Sequence, residues 1–421
     1  MLLRKYICRR LLEYYSQPAH KVVGTPDASV DFSSLLGQWH WKRTYKQLYK
    51  QQKGMWLTPV ELFAPYYSNV FANFVSSSMK PMLESKKHNS DGFQIVELGG
   101  GRGTNAKALL NHLQLHHNDV YDRLTEYTIF DTSPTLHELQ RQNLKIDSDH
   151  ADKINLVNVD MMEIAEGTSP FLTHSNIPTT LIALELLDNL PHDKIAKCFE
   201  TDEILQAELI PLDDDCTTSG ASSEAIIDTS KQYHEEFSPA SDPLLQNILS
   251  IDPSLSTRLA SSGPRWIPSV ALGVLMRLFE CRPNSAVAFA DFDWLPPPDL
   301  STPEDQSLIL AAEPALGDPI VTDMKGIDHP CYLTSPPDAL CDILFPTDFA
   351  RMASFTKSIL RRDNERRAMP VSVAAMKQND FLLQYGLDEV NKTKSWAGYS
   401  PLINDFGNCS VLTVTPHHLC K

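Results

Sequence analysis

Residues 93–105 read Phe-Gln-Ile-Val-Glu-Leu-Gly-Gly-Gly-Arg-Gly-Thr-Asn, a stretch whose residue types and spacing suit a ligand-binding turn. Phe93, Ile95, Val96 and Leu98 form an apolar run that enters Glu97-x-Gly99-x-Gly101-x-Gly103, and a helix-forming stretch follows at 106–113. Strand, glycine turn and helix make the first half of a βαβ unit, and that crossing binds nucleotides. Glycine is needed where the backbone turns tightly and a ligand approaches with no Cβ between. The dinucleotide fingerprint is G-x-G-x-x-G. Here the third glycine comes one residue early, and the acid Glu97 precedes the first. Further carboxylates stand where strands should end: Asp131, Asp160, and Glu185 with Asp188 just beyond it. An ionised carboxylate accepts two hydrogen bonds from a pair of hydroxyls and grips a guanidinium in the same bidentate way. Glu185 and Asp188, at a strand-to-helix turn, would converge on one cationic group, with His192 as a candidate proton acceptor.

These residues need a sheet to position them. The pattern predicts strands at 93–98, 127–130, 154–159 and 180–184, and helices at about 104–116 and 134–143, the second capped by Ser133-Pro134. A polar loop is expected at 117–124. Strands alternating with helices predict an α/β fold with a parallel sheet, and ligands bind at the carboxyl edge of such sheets. Residues 30–85, with Trp39, Trp41, Tyr45 and Tyr49, read as a helical lid in which Thr58 caps a helix begun by Pro59. Residues 90–200 form the α/β core, and 201–265 an acidic, Ser/Pro-rich insertion, partly disordered over 211–265. Residues 266–421 complete the core with a helix at 269–278, a strand at 286–292, a loop at 314–337, a basic helical segment holding Arg361, Arg362, Arg366 and Arg367, and a last strand at 411–414.

With 421 residues, 42% of them hydrophobic, the chain has material for one large domain or two. A net charge of −16 repels phosphate backbones and argues against nucleic acid as a partner. The longest apolar run, 270–276, falls far short of the ~20 residues of a membrane span, so none is expected. The 8 cysteines include no CxxC pair and no four-ligand zinc spacing, so no metal is expected and the thiols read as reduced and intracellular. Residues 1–23 carry Arg4, Lys5, Arg9, Arg10 and Lys21 against a lone acid, Glu13, with Leu3, Ile7, Leu11 and Tyr14 on one helical face. That is the pattern of a mitochondrial transit peptide, so a matrix location is expected.

The Glu97 to Gly103 turn resembles motif I of class I S-adenosylmethionine-dependent methyltransferases. Longer segments resemble the mitochondrial complex I assembly factor family of protein arginine methyltransferases, whose bacterial members are called MidA-like. The family's V-E-L-G-P-G-R-G-T matches Val96 to Thr104, with Gly100 in place of proline. Its N-E-F-F-D-x-L-P-V-H-K-F matches Leu184 to Ile195, and its K-Q-x-x-F-L-x-x-x-G matches Lys377 to Gly386. A weaker match, to D-V-D-F, falls at Pro346 to Phe349. The resemblance implies a class I (Rossmann-like) methyltransferase sheet with S-adenosyl-L-methionine as cofactor. It implies that Glu97, Gly99, Gly101 and Gly103 shape the cofactor turn, that Asp131 holds the ribose, and that Asp160 meets the adenine edge. Glu185 and Asp188 would bind the acceptor, a protein arginine, with a respiratory complex I subunit as the expected partner. The sequence departs from the family at Leu184, which replaces asparagine, and in the turn from Ala290 to Pro296. It therefore reads as a divergent branch. Two other classes stay open: a non-catalytic assembly protein that keeps the fold, and a small-molecule methyltransferase. The acceptor, the degree of methylation and the oligomeric state are not legible.

Overall fold

The computed structural model describes residues 1–17, 24–26, 29–51, 57–85, 92–146, 149–212, 232–257, 263–298, 317–333, 340–362 and 369–416. Two compact units result, each built from three stretches of chain. The core unit comprises Ser16–Leu187, Val274–Trp294 and Thr347–Lys421; the accessory unit comprises Met1–Tyr15, Asp188–Gly273 and Leu295–Pro346. The core boundary thus falls at 187/188, before the expected 200, and residues 295–346 join the accessory unit. In chain order the strands are β1 (Phe93–Leu98), β2 (Leu124–Asp131), β3 (Ile154–Asn158), β4 (Thr179–Leu184), β5 (Asp193–Lys197), β6 (Ile204–Pro211) and β7 (Tyr233–Pro239). They continue as β8 (Arg265–Ile267), β9 (Ser285–Phe292), β10 (Ile320–Asp323), β11 (Asp328–His329), β12 (Cys341–Leu344), β13 (Val371–Lys377) and β14 (Cys409–Pro416).

The core unit holds a seven-stranded sheet in the order β13-β14-β9-β4-β1-β2-β3. From β9 to β3 all pairs are parallel, while β14 runs antiparallel to both its neighbours. Every residue of β4 is buried, as expected of a strand covered on both faces. Strand order reverses between β1 and β4, the place where open α/β sheets bind ligands. The helix Tyr66–Glu84 buries 13 of its 19 residues. Phe71 and Phe74 pack on Phe381 of the helix Gln378–Lys392, with ring centroids 5.0 and 5.6 Å apart. A Cβ on Gly386 would come within 2.3 Å of Val70, so glycine lets the two helices close up. The expected lid is therefore corrected in this part: its longest helix is a core element. The loop expected at 117–124 contains a short helix, Asn118–Tyr121, and the first residue of β2. Of the basic segment, Arg361 and Arg362 end the helix Phe349–Arg362, and Arg366 and Arg367 lie outside the described residues.

In the accessory unit, β7-β6-β5-β8 and β11-β10-β12 form two antiparallel sheets. The helix Leu3–Tyr15 packs Leu3, Tyr6, Ile7 and Leu11 into an apolar cluster with Leu209, Trp266, Ile343 and Phe345. Arg4, only 1% exposed, reaches Asp193 and Asp242 at 2.7 Å each. The basic, amphipathic pattern over 1–23, read as a transit peptide, thus also describes a helix packed into this unit's core. The helix fills a core, and its removal would strand two buried carboxylates. Residues 18–23 lie outside the described residues. Within 211–265, read as partly disordered, the described residues form regular elements. β6 and β7 pair from Leu205–Pro239 to Pro211–Tyr233, and Asp242 caps the helix Pro243–Ile251. The tract 213–231 lies outside the described residues, as does 258–262. Likewise β10 and β11 occupy part of the loop expected at 314–337, of which 314–316 and 334–337 lie outside them.

Candidate active site

Gly99, Gly101 and Gly103 all take left-handed backbone, with φ of +68°, +52° and +83°. Side chains other than glycine rarely adopt it. A Cβ on Gly99 would meet Leu186 at 2.9 Å, and one on Gly103 would meet Leu144 at 2.9 Å, but Gly101 faces open space. Gly103 leads into the helix Thr104–His116, whose first N–H groups receive no side-chain cap from it. Uncapped N–H groups and the positive helix end favour a polar or anionic ligand.

Two expected cofactor residues sit at this turn, in different ways. Asp131 ends β2 and is buried. Its Oδ1 accepts from the Ser133 N–H at 3.0 Å and its Oδ2 from Gln140 Nε2 at 2.9 Å. Gln140 Nε2 also donates to the Gly101 carbonyl at 2.9 Å, tying the acid to the turn. Burial pushes the Asp131 carboxyl up to about 6. A carboxylate has about four acceptor sites, and three protein donors, the Gly101 N–H included, leave one for a ribose hydroxyl. Glu97 lies beneath the turn: its oxygens accept from Asn105 Nδ2 at 2.7 Å and the Tyr127 hydroxyl at 2.8 Å. Burial pushes it up to about 7. Glu97 thus braces β1, β2 and the helix start from beneath the turn.

Glu185, directly after β4, holds an unusual positive φ of +54°. Such strain is retained where surrounding structure enforces it, commonly at functional sites. Thr58 caps the helix Pro59–Leu62, as its sequence predicted. That helix start faces Glu185: the Val60 N–H donates to Oε1 at 3.3 Å, and the Thr58 hydroxyl bonds the same carboxyl. Glu185 keeps part of its surface accessible. Burial pushes its carboxyl well up, and the charges of Asp291 and Glu61 push it further. Asp291, near the end of β9, is buried and accepts the Phe292 N–H at 2.7 Å. Glu61 is buried and pushed up by desolvation, offset by the Thr104 hydroxyl and the Arg102 charge. Tyr67, whose hydroxyl donates to Gln378 Oε1 at 2.8 Å, feels both Glu185 and Asp291. The charges of Asp291 and Glu61 thus both disfavour an ionised Glu185.

The other expected residues have local partners of their own. Asp160 caps the helix Met161–Glu166 by accepting the Met162 N–H at 2.9 Å. Asp188 belongs to the accessory unit, where its carbonyl accepts the Phe345 N–H at 2.8 Å. The carboxyls whose charges act on Glu185 are Asp291 and Glu61. His192 is buried, with Nδ1 2.8 Å from the Leu190 carbonyl and its ring 4.0 Å from that of Phe345. Burial pushes it down to about 3, so it stays neutral and structural rather than accepting a proton. Sequence reasoning missed Asp291, Glu61 and Gln140 as site residues. Asp291 carried the usable signal, an acid at the end of an apolar strand.

A sheet with one antiparallel strand next to its edge, a glycine turn after β1 and an acid after β2 define a nucleotide-type transferase site. The family described as "Putative S-adenosyl-L-methionine-dependent methyltransferase" matches residues 74–364, and this chain belongs to it. A COG1565 superfamily member from Burkholderia thailandensis, solved bound to S-adenosyl-homocysteine, is 16% identical over 99% of this chain and 87% of that one, with a TM-score of 0.60. A second structure from that organism, an uncharacterized protein of the same superfamily, gives 16% identity, the same coverage and a TM-score of 0.55. These likenesses show the Rossmann-like fold. No curated protein matches. S-adenosyl-L-methionine is the family's cofactor, and the open face of Gly101, the helix start at Thr104 and the acid Asp131 fit it.

Proposed function

We propose that this methyltransferase modifies the guanidinium of a protein arginine. The observation that carries the reading is the carboxyl group of three, Glu185, Asp291 and Glu61, beside the glycine turn. Gly99, Gly101 and Gly103 would hold the cofactor with Asp131. When bound, it supplies a methyl on a sulfonium leaving group. The protein's share is then alignment and charge. An arginine stays protonated at any working pH. Buried carboxylates suit it, because one guanidinium relieves the repulsion that raises Glu185 and is gripped bidentately. Glu185 and Asp291 take this role in place of the Glu185–Asp188 pair. Once ionised against the guanidinium, Glu185 can take the proton that the methylated nitrogen loses.

The Glu185-x-x-Asp188-x-Leu190-Pro191 segment supports a complex I subunit in the mitochondrial matrix as the acceptor. The test is incubation of organelle extract from null cells with purified protein and methyl-labelled cofactor, followed by acid hydrolysis. We expect label in methylarginine of one protein. Label in lysine or in a small molecule would refute the arginine reading. The absence of any label would favour a non-catalytic role.

A further inference from the structure

The helix Gln38–Gln51 has one buried side chain, Trp41, and no acidic residue. Its exposed side carries Trp39, Lys42, Arg43, Lys46 and Lys50 at helical spacing. In a chain of net charge −16, this is a concentrated basic face. Beside it the surface is apolar. Leu36, Trp39 and Trp396 are 63%, 69% and 83% exposed. They are held together by backbone: the Trp396 N–H donates to the Leu35 carbonyl at 2.8 Å, and the Ala397 N–H to the Leu36 carbonyl at 3.2 Å. Arg43 stands 6.0 Å from the centre of the Trp39 ring. A cleft of about 340 Å³ opens between Leu36, Trp39, His40, Arg43, Thr44 and Gln47.

From the exposed tryptophans and the acid-free basic face beside them, we propose that this face docks the protein on an anionic lipid surface. Tryptophan prefers the level of lipid headgroups, where its ring is apolar and its N–H is wet. Lysine and arginine add attraction to anionic headgroups. The acidic remainder of the chain does not cancel this, because salt screens charges beyond about 10 Å. No helix among the described residues is long and apolar enough to cross a membrane, so the contact is peripheral.

The test is co-sedimentation of the full chain with vesicles of phosphatidylcholine alone and of phosphatidylcholine mixed with phosphatidylglycerol. Binding is expected only to the mixed vesicles and should weaken as salt rises. Each cation removed should lower the partition coefficient about fivefold. Lys46→Glu with Lys50→Glu should therefore release the protein, and Trp39→Ala with Trp396→Ala should weaken binding independently. All four side chains are exposed, so circular dichroism should show unchanged folding. Failure to bind mixed vesicles, or full binding by the charge-reversed variant, would overturn the proposal. Retention by immobilised polyglutamate but not by vesicles would also overturn it and indicate an acidic protein partner.

Discussion

Gly101 is the glycine of the turn whose missing side chain would point into open space, and its φ is +52°. Gly101→Val should therefore abolish binding of S-adenosyl-homocysteine, through strain and through the branched Cβ at the ligand's approach. Titration calorimetry reads this directly. Asp131→Ala should act twice: it removes a charged hydrogen bond to a ribose and takes from Gln140 one of its acceptors. A cofactor loss of about 2–3 kcal/mol and a stability loss of about 1–3 kcal/mol are expected, by calorimetry and urea unfolding. Glu185→Gln keeps shape but not charge; turnover should fall about 10²-fold while cofactor affinity stays within about twofold. The glycines and Asp131 were legible because strand ends and left-handed turns leave local marks. The grouping of Glu61, Glu185 and Asp291 was not, since the pairing of β4 with β9 and the docking of the helix Pro59–Leu62 on Glu185 bring them together. Glu97 was legible as a position but not as a brace, because its partners Asn105 and Tyr127 come from the next helix and the next strand.

At the scale of elements, the helix Leu3–Tyr15 shows how one pattern serves two ends. Basic, acid-poor and amphipathic describes a targeting peptide and also a helix whose arginine is committed to buried acids. Nothing near residue 4 in the sequence reveals that Asp193 and Asp242 wait for it. Arg4→Met should cost about 3–5 kcal/mol, since it abandons two carboxylates in a dry interior. Replacing Arg4, Asp193 and Asp242 together by apolar residues should recover most of that loss, which urea midpoints would show. β6 and β7 escaped prediction because β7 is acidic and only half-buried, so its pairing with β6, rather than its own apolar content, makes it a strand.

For the whole molecule, buried titratable groups set the pH of greatest stability. Burial pushes Glu97 and Asp342 up to about 7 and Asp131 up to about 6. These carboxyls keep protons in the fold that the unfolded chain gives up near pH ~4, so they favour the fold less as pH rises from ~4 to ~7. His112 and His192, pushed down to about 4 and about 3, act oppositely. They stay neutral in the fold but charge in the unfolded chain below pH ~6.5, so stability drops as pH falls through that value. The trends oppose one another below pH ~6.5, and above it only the carboxyls act. Three carboxyls outweigh two histidines, so a thermal midpoint that declines as pH rises from ~4.5 to ~7 is expected. Glu97→Gln, which cannot titrate, should flatten the decline above pH ~6 in a calorimetric pH series.

The grip of Arg4 on Asp193 and Asp242 spans 189 and 238 residues of chain. At roughly 5–20 residues per second, a ribosome would take on the order of tens of seconds to make the partners after the helix has emerged. Throughout that interval the nascent helix shows its leucines and arginines to whatever binds new polypeptides. Once the carboxylates arrive, Leu3, Arg4, Arg10 and Leu11 are buried, while Lys5 and Arg9 stay at the surface. A receptor for basic amphipathic helices would thus have a time window during translation and none afterwards, so delivery to a compartment, if it uses this helix, is decided while the chain is still being made.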